Sequence, residues 1–267
     1  MCSSDLSECH SFSVLEGPRL ERSLRMVYFD QRGAGHSERP WNGHYQLDTL
    51  VGDIEALRRT LDVPQVVLMG HSFGGLLALE YAARYPEHVS KLILVGAFSD
   101  GPMTCKVHRE RLASMHLVEY AKVVRDTAWT NAAKRNDCDY EGRALSDAEH
   151  EKFNDSGIFP DPALQRKQDS VDAKSGLRNT GEMNRALFAA GLFNARFTKH
   201  SRVRMPTLVI AGSHDNAVGV PPQKALAAAL PNARFAEYPN AGHFPYLEEP
   251  ERFRRDVISF LTSANEK

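Results

Sequence analysis

Val66-Val67-Leu68-Met69-Gly70-His71-Ser72-Phe73-Gly74-Gly75 decides the fold of this chain. Its four leading apolar residues, two of them β-branched, read as a strand buried on both faces. They run without a break into a serine flanked by glycines, Gly70-x-Ser72-x-Gly74. Leu76 to about Tyr85 then reads as a helix, and Pro86 stops it. Strand, serine between small residues, and helix together make a nucleophile-elbow pattern. The turn is sharp, and small residues on both sides let strand and helix approach without clashing. The bare five-residue pattern arises by chance in roughly one chain in ten of this length at average composition, so the reading rests on the strand and helix around it.

The same alternation extends outward in both directions. Upstream, Met26-Val27-Tyr28-Phe29 reads as a buried strand ending at Asp30, with Gly33 and Gly35 marking a loop. Leu47, Leu50, Val51, Ile54, Leu57 and Leu61 recur mostly three and four apart, the period of an amphipathic helix. Ser11–Leu24 reads as a helix that Gly17-Pro18 interrupts. Downstream, Leu92–Val95, Leu208–Ile210 and Arg234–Tyr238 are further strands. A helix near Pro222–Leu230 carries proline in its first turn, and Phe253, Val257, Phe260 and Leu261 line one side of a closing helix. Short β-branched runs alternating with helical periods imply an α/β fold: a mostly parallel sheet with helices on both faces. Residues 101–204 depart from this pattern. They are rich in Asp, Lys, Arg and Asn, and Met115–Val124, Asp147–Phe153 and Glu182–Leu192 are helical candidates. An inserted helical cap over 101–204 is expected, with the core formed by 11–100 and 205–267.

Composition narrows the function. The chain has 267 residues, with 33 Lys and Arg against 34 Asp and Glu, a net charge of −1. Nothing in that balance attracts nucleic acid or an anionic membrane surface, so a small-molecule or short-peptide substrate is the expected partner. Cys2, Cys9, Cys105 and Cys138 are scattered without metal-ligand spacing and read as free thiols of a reducing, cytoplasmic compartment. No apolar run reaches membrane-spanning length, and the first residues are polar rather than those of a secretory signal.

A serine hydroxyl is a poor nucleophile until a base takes its proton, and histidine has the proton affinity for that task near neutral pH. Of eleven histidines, His243 stands out. It follows the last strand, in Asn240-Ala241-Gly242-His243-Phe244-Pro245, where a loop returns to the sheet edge that carries Ser72. Asp215, just past Leu208–Ile210, is the candidate acid to orient the histidine, and Asp100 after Leu92–Val95 is the runner-up. The order Ser72, Asp215, His243 matches one of the three known chain orders of such triads. The backbone N–H of Phe73, at the helix start, is a candidate oxyanion donor. These side chains call for no metal and no cofactor.

At this point the chain resembles the α/β-hydrolase superfamily, and within it the proline iminopeptidase-like branch. Val27-Tyr28-Phe29-Asp30-Gln31-Arg32-Gly33-Ala34-Gly35-His36-Ser37 is similar to that branch's Asp-Gln-Arg-Gly segment, and Gly70–Gly75, Gly212-x-x-Asp215 and Gly242-His243 complete the pattern. Asp30 and Arg32 read as loop-fixing ion partners. The resemblance implies release of an N-terminal residue, often proline, through an acyl-enzyme. Such an enzyme must anchor a protonated amine; Glu182 is the candidate carboxylate, with Asp161 and Asp169 behind it. An esterase or carbon–carbon bond hydrolase with the same triad is the alternative, and a non-catalytic ligand-binding member or inactive fragment is the third possibility. The chain departs from the family upstream. Glu8-Cys9-His10-Ser11-Phe12 stands where the family has a glycine-rich loop supplying the second oxyanion donor. Residues 1–10 are therefore expected to lie outside the fold as a foreign or disordered terminus, with the first strands missing. Loss of one oxyanion donor costs about 10²–10³ in rate.

Overall fold

In a computed structural model the strand leading to Ser72 lies second of the five strands that the described residues form, all parallel in one sheet. The structure describes residues 2–3, 20–114, 124–135 and 181–263, with residues 121, 137, 138, 161, 163, 164, 166 and 170. The strands are β1 Cys2–Ser3, β2 Val66–His71, β3 Val89–Val95, β4 Thr207–Gly212 and β5 Ala233–Tyr238. They lie side by side in chain order. The helices are α1 Leu47–Thr60, α2 Phe73–Arg84, α3 Gly101–Ser114, α4 Thr127–Arg135, α5 Glu182–Ala189, α6 Val220–Ala229, α7 Pro245–Glu248 and α8 Pro250–Thr262.

Register explains why the central strands are apolar throughout. Met69, Ile93 and Leu208 align across β2, β3 and β4, with Leu68, Leu92 and Thr207 one rank below. Successive residues point to opposite faces. Leu68, Leu92, Leu94 and Val209 therefore pack with Leu50, Ile54 and Leu77 of α1 and α2. Met69, Ile93, Val95, Leu208 and Ile210 pack on the other face with Phe253, Val257 and Phe260 of α8. Each such fully buried side chain contributes about 1.5–3 kcal/mol of transfer free energy.

Polar links fasten the layers. Glu55 of α1 takes two bonds from Arg58, at 2.7 and 3.0 Å, and one from Tyr81 Oη of α2 at 2.8 Å. Lys91 of β3 donates to the carbonyls of Phe260, Leu261 and Ser263 at 2.8–2.9 Å, satisfying the open end of α8.

Several elements differ from the sequence expectation. Met26–Phe29 does not form the expected strand: among these four only Tyr28 makes a bridge, and all four are half-buried. A strand needs a continuous backbone partner, and the edge of β2 away from β3 is taken by β1. Of residues 1–10, expected to lie outside the fold, Cys2 and Ser3 are described, and they form that edge strand; the other eight lie outside the described residues. Cys2 and Ser3 pair with Met69 and Gly70, a backbone contact that two small side chains do not advertise. The helix after Ser72 starts at Phe73 rather than Leu76, because Gly74 and Gly75 continue it. Between β3 and β4 the described residues hold helices but also a bridge between Asp100 and Arg196; α3 starts at once from Gly101 and α4 covers Thr127–Arg135, neither of them foreseen. The expected helix over Glu182–Leu192 forms as α5 and a short 3-10 turn, Leu192–Asn194. Most of Met115–Val124, all of Asp147–Phe153 and most of Ser11–Leu24 lie outside the described residues.

Candidate active site

Ser72 sits between the last residue of β2 and the first of α2, with φ 52° and ψ −123°. That is a costly conformation for a residue with a side chain, and it persists only where surroundings over-determine it. Here they do. The Ser72 N–H donates to Val95 O at 3.0 Å, and its carbonyl accepts from Gly75 and Phe98 N–H at 2.9 Å. The approach needs the flanking glycines: a Cβ on Gly70 would lie 2.3 Å from Gly74 O, and one on Gly75 would lie 2.5 Å from Ala97 Cβ. The Ser72 side chain is thereby displayed at the carboxyl edge of the sheet. Phe73 opens α2, so its N–H belongs to the first turn, where helices offer no internal acceptor.

His243 and Asp215 reach the same edge from the ends of β5 and β4. Both carboxylate oxygens of Asp215 lie 3.1 Å from His243 Nδ1, and both residues are buried. Asp215 Oδ1 accepts from the amides of Ala217 and Val218 at 2.9 Å, and Oδ2 accepts from Gln223 Nε2 at 3.2 Å. Burial alone drives a carboxyl pKa upward; His243 and the two amides outweigh it and hold Asp215 at about 2. Asp215 is therefore a carboxylate near neutral pH, and the proton of neutral His243 stays on Nδ1. That leaves Nε2 as the basic nitrogen.

His71, Gln223 and Glu248, none of them foreseen in this role, hold the pair in place. His71, fully buried, lies with Nε2 2.8 Å from His243 O, and the two rings are 4.6 Å apart. It ties the strand before Ser72 to the loop carrying His243. Gln223, also fully buried, donates to Asp215 and to Gly219 O, and its carbonyl accepts from Ala97 N–H at 3.2 Å. Glu248 Oε2 accepts from Gly242 N–H at 2.8 Å and Phe244 N–H at 3.0 Å, one bond on each side of His243. Only the closeness of Glu248 to His243 in sequence hints at this; nothing marks Gln223.

The remaining candidates separate. Asp100 caps α3, accepting from Met103 N–H at 2.8 Å, and pairs with Arg196 at 3.7 Å. Asp215, not this runner-up, meets His243. Arg32 forms a two-pronged pair with Asp53, at 2.5 and 2.6 Å, while Asp30 fixes its loop through His36 N–H at 3.0 Å. Glu182 stands exposed at the start of α5 and accepts from Tyr45 Oη at 3.1 Å. Asp161 is exposed and holds Ala163 N–H at 2.8 Å, and Asp169 lies outside the described residues. An apolar cavity of about 250 Å³ opens at the amino end of β2, lined by Leu24, Met26, Val66, Ile93 and Leu261, at the opposite end of the strand from Ser72. Among the described residues no cluster of three His, Cys, Asp or Glu could hold a metal ion, and no helix is long and apolar enough to cross a membrane. Cys105 and Cys138 are buried and form no disulfide among the described residues.

Fold and site together define a hydrolase of the α/β type. Residues 4–250 match the alpha/beta hydrolase fold family, and the chain belongs to it. A proline iminopeptidase of Thermoplasma volcanium is 24% identical over 243 residues, covering 90% of this chain and 80% of that protein. A 2-hydroxymuconate semialdehyde hydrolase of Pseudomonas putida is 28% identical over 254 residues, covering 92% and 80%. Among solved structures, a proline iminopeptidase-related protein of Thermus thermophilus matches with TM-score 0.73 at 24% identity, covering 98% of this chain and 87% of that one.

Proposed function

We propose that the chain is a serine hydrolase working by acyl transfer, with Ser72 as nucleophile, His243 as base and Asp215 as the acid that orients it. The observation that carries this reading is the buried His243–Asp215 pair, at 3.1 Å, on the sheet edge that displays the strained Ser72. In the first step Ser72 Oγ bonds to the substrate carbonyl carbon and its proton passes to His243 Nε2. The negative oxygen that develops is stabilised by the Phe73 N–H at the start of α2. Collapse breaks the bond to the leaving group, which takes the proton from His243. Water then attacks the acyl-enzyme with the same proton relay and frees Ser72. Asp215 remains ionised throughout and stabilises the imidazolium.

The substrate class we favour is a peptide with a free N-terminal proline or similar residue. Similarity to proline iminopeptidases along most of the chain supports it. Glu182 is the proposed anchor for the protonated amine: its carboxylate, at the start of α5, is steadied by Tyr45. A second reading, cleavage of an ester or carbon–carbon bond, has its own support in the 28% identity to a 2-hydroxymuconate semialdehyde hydrolase. A panel of prolyl anilides, short-chain nitrophenyl esters and a vinylogous keto acid separates the two. Turnover of prolyl anilide, weakened in KM by Glu182→Gln, supports the first; turnover of the others alone overturns it. A fluorophosphonate probe tests the shared mechanism, since failure to label Ser72 in folded protein would leave a non-catalytic binding member.

A further inference from the structure

From the loop that carries His243 we infer that Glu248 is a positioning residue for the proposed acyl transfer: its carboxylate clamps the backbone on both sides of His243 and sets a negative charge beside an imidazole that must become cationic. The inference rests on the reading of His243 as base.

Three observations support it. One oxygen, Oε2, takes both the Gly242 and the Phe244 amide, so a single atom fixes the Ala241–Gly242 and His243–Phe244 peptide planes and with them the backbone through His243. The other oxygen, Oε1, is buried and makes no hydrogen bond among the described residues. Leaving a buried carboxylate oxygen unsatisfied is costly. A neutral amide or hydroxyl could have capped the same two N–H groups at lower cost, so the choice of an acid points to its charge. The third observation is the short α7, which ends at Glu248. Its turn is pinned by Leu247 and Glu248 N–H donating to Phe244 O, at 2.8 and 3.1 Å, so the carboxylate is built into the loop it holds.

The surroundings set the pH range in which the charge is present, above about 7. Burial pushes the Glu248 carboxyl up to about 7, against the two amides and His243; Asp215 pushes in the same direction as burial. His71 reaches the same turn from β2 and packs on Phe244 and Tyr246. Glu249 is engaged elsewhere, by Asn240 N–H at 3.2 Å and Arg252 at 3.5 Å, and Asp256 of α8 also takes Arg252. Among these groups Asp215 meets the His243 ring, and Glu248 holds the amides of the residues on either side of it.

Glu248→Gln tests the charge while keeping a carbonyl for the two amides. The imidazole of His243 is titrated by NMR in parent and variant, and kcat and KM are measured at pH 8. We expect the His243 pKa to fall by about half a unit to one unit, and kcat to fall about 3- to 10-fold with KM unchanged. Glu248→Ala should lose more, with faster hydrogen exchange at the Gly242 and Phe244 amides. An unchanged His243 titration and unchanged kcat in Glu248→Gln would overturn the inference. If even the parent fails to hydrolyse substrate or label at Ser72, the acyl-transfer reading fails instead. In that case the His243 titration and the amide exchange still decide whether Glu248 acts as the charged clamp.

Discussion

Gln223 joins Asp215 to the end of the neighbouring strand: its amide donates to Asp215 Oδ2 at 3.2 Å while its carbonyl accepts from Ala97 N–H at 3.2 Å. Both Nε2 hydrogens are used, the second on Gly219 O at 3.1 Å. Replacing Gln223 with Leu strands the buried Ala97 N–H and frees one side of the carboxylate. Urea denaturation should report a loss of about 1–3 kcal/mol. Turnover should fall as well, because the Asp215–His243 geometry loosens. A variant with parental stability would show that the bridge is idle.

Asp215→Asn is the sharpest test of the proton placement. An amide can donate to Nδ1, which moves the imidazole proton to Nε2, the wrong nitrogen for a base. A loss in kcat of about 10⁴ is expected, with the melting curve little changed. A loss below tenfold, measured on any hydrolysed substrate, would mean that the acid is another residue.

Gly96 guards the space beside the imidazole. Its φ is 52°, and an added Cβ would lie 3.0 Å from His243 Nδ1. Gly96→Ala should therefore displace the ring as well as strain the backbone. Misplacement by about 1 Å can cost 10² in rate. The expected result is a fall of that order in kcat/KM, together with a shifted His243 NMR signal; parental kinetics would contradict the packing.

Acid stability should depend on Glu55. Arg58, joined by Tyr81 and His88, holds the Glu55 carboxyl at about 2, below its ordinary value of 4.5. Its contribution is fully present above that ordinary value and disappears as pH falls through about 2. Glu55→Gln should cost about 1–3 kcal/mol at pH 7, measured by urea denaturation, and progressively less below pH 4. A constant difference across that range would rule out ionisation as the source.

The elements carrying Ser72, Asp215 and His243 were legible because each depends on local pattern: an apolar run, a glycine-bounded turn, and order along the chain. The faces of the sheet followed from the same runs, since Met69 and Ile93 turn one way and Leu68 and Leu92 the other. Other features depend on where distant backbone comes to rest. The bond from Tyr45 to Glu182 spans 137 residues, and the one from His71 to the His243 carbonyl spans 172. No periodicity encodes either. Cys2 and Ser3 join the sheet by backbone pairing, and Met26–Phe29 shows the converse, an apolar quartet with a single bridge at Tyr28 in place of a strand.

The backbone of Ser72 has one more consequence. Its φ of 52° suits glycine far better than serine. Ser72→Gly would thus remove the proposed nucleophile and relieve the elbow in one step, leaving a chain that is inert yet harder to unfold. The serine at this turn thus sets the stability of the elbow against the chemistry proposed for its hydroxyl, and the two can be measured separately in the same variant.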